Sequence, residues 1–230
     1  MRLRPFLTLA IPLACAALFV RLGVWQLSRL RGKRAFNAIL SERLAAPPAE
    51  VTTLPGDTAL GHYRRVSASG TMLYDREVVY GGRSHEGSPG VDLLTPMKIA
   101  GRDTVVMINR GWAYSADAGS IDNSRWKEKD SSLAAGYAET FAGTERGSAP
   151  PALRRVHALD RAAIQALVGL PVAPYIVTQT SDSAPHRDSI PVRLQTPALD
   201  EGPHQSYAIQ WFSFALVAVV GGVALSRRSR

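Results

Sequence analysis

Two long apolar runs lie near the ends of the chain, and alternating apolar and polar residues fill the space between them. The first run carries no charge from Pro5 to Val20 and continues amphipathically through Leu22, Val24, Trp25, Leu27 and Leu30. The second, Tyr207 to Leu225, is nineteen residues of almost unbroken apolar character. At a helical rise of about 1.5 Å per residue it reaches roughly 28 Å, enough for the hydrocarbon core of a bilayer. The two runs predict transmembrane helices over 5–25 and 207–225. Pro12 falls inside the first, where a membrane helix tolerates it as a kink. Trp25, Tyr207 and Trp211 sit where interfacial aromatics are expected.

Between the runs the period changes. A polar helical stretch, Phe36 to Leu44, ends at Pro47-Pro48. Strand-like segments follow at Tyr63–Gly70, Glu77–Tyr80, Val91–Ile99, Thr104–Trp112, Tyr137–Gly143 and Tyr175–Thr180. Gly101-Arg102-Asp103 reads as the turn joining the third and fourth, and Pro96 suggests that the third is an edge or bulged strand. One helix is expected here: Asp160 as N-cap, Ile164, Leu167 and Val168 on one face, then Gly169 and Pro171 as stop signals. The residues between Trp112 and Leu133 show no period and read as loop. The fold class that results is an α+β membrane protein. Two transmembrane helices flank one mostly β extracytoplasmic domain over 35–203, a small barrel or sandwich with one helix.

Charge alters this picture in one respect. The formal charge is +8, which on its own suggests a nucleic-acid partner. Yet ten of the 27 basic residues flank the apolar runs, and all 19 acidic residues lie between Phe36 and Tyr207, where 17 basic residues face them. The basicity therefore belongs to the membrane flanks, where a lipid bilayer is the natural partner, and nucleic acid is excluded. Arg227, Arg228 and Arg230 place the C-terminus in the cytoplasm, and Arg2 and Arg4 place the N-terminus there too. The central domain is then periplasmic. The cluster from Arg21 to Arg34 falls on the outer side, against the trend. The absence of a Ser-rich, acid-poor transit peptide favours a bacterial inner membrane.

The chain offers little for catalysis. It contains no Walker loop, no GxGxxG, no HExxH and no GxSxG, and an enzyme is not expected. Its single cysteine, Cys15, reads as a small residue buried in the first helix, and no metal site is expected. His62, His85, His157 and His186 read as exposed loop histidines. His204 differs: it lies at the outer mouth of the second span, where a neutral imidazole can ligate a haem iron. Tyr207 and Trp211 follow at a spacing of four, on one helical face beside such a planar ligand. The alternative is an interfacial histidine and an aromatic belt.

Five blocks carry a resemblance. They are Leu22-Gly23-Val24-Trp25-Gln26-Leu27-Ser28-Arg29, Tyr63-Arg64-Arg65-Val66, Leu94-Thr95-Pro96, Asn109-Arg110-Gly111-Trp112 and His204-Gln205-Ser206-Tyr207-Ala208-Ile209-Gln210-Trp211-Phe212. In this order they resemble the signature blocks of the Surfeit locus protein 1 family, which shares the two-anchor topology. The resemblance implies an assembly factor for haem–copper oxidases, especially cytochrome c oxidase. It also implies binding or delivery of haem a to the oxidase large subunit, contact with haem synthesis or assembly proteins, and no catalysed reaction. The family's histidine at the start of the second span matches His204, making His204, Tyr207 and Trp211 the candidate cofactor-binding residues. A second reading is a membrane-anchored scaffold that binds an oxidase subunit without haem, through Arg110, Trp112 and the barrel surface.

Overall fold

The computed structural model describes residues 3–128, 132–144, 154–180 and 191–228, with side chains from residue 9 onward. Two compact units emerge: the terminal helices, residues 1–41 with 198–230, and a central domain, residues 42–197.

The first unit is a helical hairpin of α1 (Leu3–Ala45) and α4 (His204–Arg228). Sequence reading separates the amphipathic stretch after Val20 from the polar helix at Phe36–Leu44, but α1 runs through both as one 43-residue helix. No strong breaker stands between Pro12 and Pro47, and a run of Arg, Leu, Lys and Ala carries the helix onward. At about 1.5 Å per residue α1 reaches roughly 64 Å, twice the thickness of a hydrocarbon core. Both helices are long and apolar enough to cross a membrane.

The seam between α1 and α4 has a regular spacing. Along α1 it comprises Pro12, Ala16, Phe19, Gly23, Gln26 and Leu30, steps of four and three in alternation. Along α4 it comprises His204, Ala208, Trp211, Ala215, Ala218 and Gly222, with the same alternation. A 3.5-residue repeat keeps one stripe facing its partner, as in a coiled coil. The stripe is rich in small residues, which in lipid let two helices approach closely. A Cβ on Gly222 would lie 2.7 Å from Pro12 Cβ, and one on Gly23 2.7 Å from the Phe212 ring. Phe19 stacks on Trp211 at 5.7 Å between centroids. Cys15, expected to be buried, is instead exposed. It sits one residue off Ala16 and so turns about 100° away from the seam.

The central domain is one mixed, mostly antiparallel sheet. Its strands are β1 (Ala49–Glu50), β2 (Arg65–Ser69), β3 (Thr71–Met72), β4 (Val78–His85), β5 (Ser88–Lys98), β6 (Val105–Tyr114), β7 (Leu133–Thr140), β8 (Arg155–Val156) and β9 (Val172–Gln179). The order is β1-β2-β7-β9-β6-β5-β4-β8, with β3 on β5. Among the described residues the sheet does not close on itself, which is consistent with a sandwich and not with a barrel. β9 joins β6 in parallel and β7 antiparallel, so the late strand fills the middle of the sheet. β5 and β6 are buried on both faces: Val105 and Met107 enter one core with Ile164 and Val168, while Val106 and Ile108 enter another with Val66, Ala138 and Val177.

Helix α3 (Arg161–Val168) covers the first of these cores and follows its sequence signals closely. Asp160 accepts from the Ala162 and Ala163 amides, and Gly169 at φ +71° closes the C-terminus. The remaining helix, α2 (Thr58–Gly61), is a single turn capped by Asp57.

Pro96 does not mark an edge, although β5 is a bulged strand, its register with β6 shifting between Asp92 and Leu94. β5 pairs with β6 on one side and with β4 and β3 on the other. The Pro96 carbonyl accepts from Leu73, so its missing N–H points to the same side. That side is the gap where pairing with β4 stops at Leu94 and pairing with β3 begins at Met97. No ladder bond is lost to the proline.

Candidate functional site at the mouth of the helical hairpin

The end of the seam nearest His204 is polar. Asp200 accepts from the Gly202 amide at 2.8 Å, turning the chain into α4, and Gly202 takes φ +67°. His204 is then the first residue of the helix and faces α1, where its Nδ1 lies 2.9 Å from Gln26 Oε1. Gln26 is itself buried. Two turns further along α1, Arg34 makes a bidentate pair with Glu201, at 2.9 and 3.0 Å. The paired guanidinium lowers the Glu201 carboxyl below its ordinary range. Asn37 adds a bond to the Asp200 carbonyl at 3.2 Å. Arg34, part of the basic cluster that fits the charge bias poorly, is thus committed to an acidic partner across the hairpin.

A neutral imidazole whose Nδ1–H is held by an amide oxygen presents Nε2 as a lone-pair donor, the form that ligates a metal. His204 Nε2 makes no hydrogen bond among the described residues, and Gly202 puts no side chain over it. A Cβ at Gly202 would stand 3.6 Å from Nε2. An unbonded imidazole nitrogen with open space beside it is the chemistry a haem iron would require of a protein ligand. Tyr207, one turn on, is 47% exposed, leaving its ring open beside His204. Trp211 lies two turns from His204 and is stacked on Phe19 in the seam, with Phe214 at its edge.

The central domain holds the other polar residues of interest, and they are interior. Arg110 is 0% exposed. Its guanidinium meets Glu77 Oε2 at 2.7 Å, Thr95 Oγ1 at 2.8 Å, the Trp126 carbonyl at 2.5 Å and Glu128 Oε1 at 2.9 Å, over the ring of Tyr74. Arg193 completes the network by donating to Glu128 and to the Arg110 carbonyl. Asn109 accepts from the Gly111 amide, and Gly111 adopts φ +117° where its backbone meets Val192. Trp112 lies against Gly90, where a Cβ would be 2.2 Å from Nε1. The Asn-Arg-Gly-Trp block therefore builds the sheet. A scaffold contact through Arg110, as the second sequence reading has it, is excluded by its burial.

The opposite face of β5, β6, β7 and β9 carries a second polar group. Asp92 sits beside Asn109 at 3.4 Å and Arg83 at 3.3 Å, and Glu139 accepts from Thr178 at 2.7 Å. Burial raises the carboxyl pKa of Asp92 against the pull of Arg83 and Asn109. Burial also raises that of Glu139, against the Thr178 hydrogen bond and aided by Asp92. Burial likewise raises the Tyr137 phenol. Sequence reading missed this group because β5, β6 and β9 read as apolar strands with isolated polar residues. Among the described residues no three His, Cys, Asp or Glu side chains could hold a metal ion. His62 is half-buried and stacked on Tyr63 at 3.7 Å, not an exposed loop histidine, and burial followed by Arg43 lowers its pKa. His157 is exposed and His85 half-buried, while His186 lies outside the described residues.

A β-rich domain between two terminal helices that are each long and apolar enough to cross a membrane defines the class: a membrane-anchored protein with one β-rich domain. Residues 13–216 match the model of the SURF1 family. The chain belongs to that family. It is 25% identical to a SURF1-like protein of Monosiga brevicollis, over 90% of this chain and 83% of the relative. It is 25% identical to a SURF1-like protein of Rickettsia bellii, over 88% and 84%, and 26% identical to one of Mycobacterium bovis, over 88% and 76%.

Proposed function

We propose that this protein is an assembly factor for a haem–copper oxidase, cytochrome c oxidase above all, and that it holds haem a at the outer mouth of its helical hairpin. The observation that carries this reading is His204, with Nδ1 tied to Gln26 and Nε2 open beside Gly202. His204 would offer the Nε2 lone pair to the haem iron. Gln26 holds the ring in place, Gly202 keeps the approach clear, and the exposed Tyr207 ring supplies an apolar flank. Behind His204 the seam continues into the stacked rings of Trp211 and Phe19.

The partners in this reading are the oxidase large subunit, which receives the haem, and the proteins that make or deliver it. The protein carries and hands over a cofactor without transforming it, so it is not an enzyme. The basic residues at the chain ends, Arg2 and Arg4 before the first apolar run and Arg227, Arg228 and Arg230 after the second, support this reading with both termini in the cytoplasm and the central domain in the periplasm of a bacterial inner membrane.

Protein purified from haem-a-producing cells is expected to show a Soret band that disappears in His204→Ala. A parent protein without haem under saturating supply overturns the haem reading. Co-purification of an oxidase subunit that is indifferent to His204→Ala would favour the scaffold without haem.

A further inference from the structure

We infer that Gln26 is a positioning residue for His204, selecting the tautomer in which Nε2 is the free donor and fixing the ring across the hairpin. This rests on the proposed haem role of His204. The two residues are far apart in sequence, on different helices, and meet at 2.9 Å through Gln26 Oε1 and His204 Nδ1. Gln26 occupies a seam position between Gly23 and Leu30 where the rest of the stripe is apolar or small. A buried amide there costs stability unless it is hydrogen-bonded, and the imidazole satisfies its oxygen. An amide oxygen has no proton to give, so with Gln26 Oε1 facing it Nδ1 donates, and in the neutral ring the proton on Nδ1 leaves Nε2 unprotonated.

The alternative state is chemically distinct. Neutral imidazole in water favours the proton on Nε2, which would block that nitrogen as a ligand. Gln26 reverses this preference before any ligand arrives. The same contact restrains rotation of the ring about its Cβ–Cγ bond and holds Nε2 toward the space that Gly202 leaves open. Partners of this kind behind a metal-bound histidine typically change affinity by about 10–100-fold when removed.

The test uses the full-length protein in lipid nanodiscs with 15N-labelled histidine, at about pH 8.5, where an ordinary imidazole is neutral. The His204 signals are identified by their loss in His204→Ala. Without haem, His204 is expected to be protonated at Nδ1. Gln26→Leu, which keeps the volume and removes the acceptor, should shift the proton to Nε2. Gln26→Glu keeps an acceptor and should restore the Nδ1–H form. On titration with haem a, Gln26→Leu should bind about 10–100-fold more weakly than the parent, and Gln26→Glu close to it.

An Nε2–H tautomer in the parent, or a tautomer unmoved by Gln26→Leu, overturns the inference. Haem affinity equal in the parent and in Gln26→Leu overturns it while leaving the haem reading intact. A parent that binds no haem overturns both.

Discussion

Arg110 donates to Glu77 at 2.7 Å from a position with no exposed surface, so the one charged residue of the Asn-Arg-Gly-Trp block is spent inside the domain. Removing one partner of a buried pair leaves the other charge uncompensated, which costs about 3–5 kcal/mol. Arg110→Ala is therefore expected to lower the unfolding midpoint of the detergent-solubilised protein sharply and to reduce its accumulation in membranes. Arg110→Lys should also be destabilising, because one ammonium cannot replace a fork that reaches Glu77, Thr95 and Glu128 together. Near-parental unfolding of Arg110→Ala would contradict the network.

The helical seam yields a contrast between glycines. Gly222→Val would drive a side chain into Pro12, and overpacking of this kind costs about 1–3 kcal/mol. Gly32 lies on the exposed side of α1, where an added Cβ would meet open space, so Gly32→Ala should stabilise the helix by up to about 1 kcal/mol. Thermal unfolding in a mild detergent should place the two variants on opposite sides of the parent.

The buried carboxyls Asp92 and Glu139 give the central domain a pH dependence. Both hold a proton more tightly in the folded state than in the unfolded chain, because burial raises them. The stability they contribute is fully present below the ordinary carboxylate range and is lost as pH rises through their raised folded values. The parent should therefore lose stability from these groups between mildly acidic and neutral pH. Glu139→Gln, which keeps an acceptor for Thr178, should flatten this slope and raise the midpoint at neutral pH. Unfolding midpoints measured from pH 5 to 8 decide it, and an unchanged slope in Glu139→Gln would count against the assignment.

Helix α3 should be sensitive at its core face and at its cap. Ile164 is fully buried against β9, and Ile164→Ala should cost about 2–5 kcal/mol. Asp160→Ala removes the acceptor of two amides and should cost about 1 kcal/mol. Denaturant unfolding of the two variants should preserve that ranking.

Much of the fold is legible along the chain because it rests on local signals. The Tyr207–Leu225 run, the Asp160 cap with its Gly169 stop, and the turn at Gly101 are each written within a few residues. The strand order is not local: β9 reaches the middle of the sheet only through pairing with β6 and β7, and no periodicity announces that. As a sign of an edge Pro96 misleads for the same reason, since a ladder gap on one side of β5 is a property of two other strands. Among the candidate residues, His204 stands out by its place before an apolar run. Gln26 does not, because its meaning depends on a helix that begins nearly the whole chain later. Arg110 draws attention as a signature residue, but only its burial separates an interior role from a contact surface.

In lipid, where neighbouring tails pack as well as an alanine does, the heptad stripe between α1 and α4 has to hold its register against sliding by whole repeats. Polar contacts such as Gln26–His204 and Arg34–Glu201 resist that slip, much as a single buried asparagine sets register in a coiled coil. The axial position of His204 in the hairpin is thus dictated by α1: the N-terminal helix acts as a depth gauge for a histidine carried on the C-terminal one.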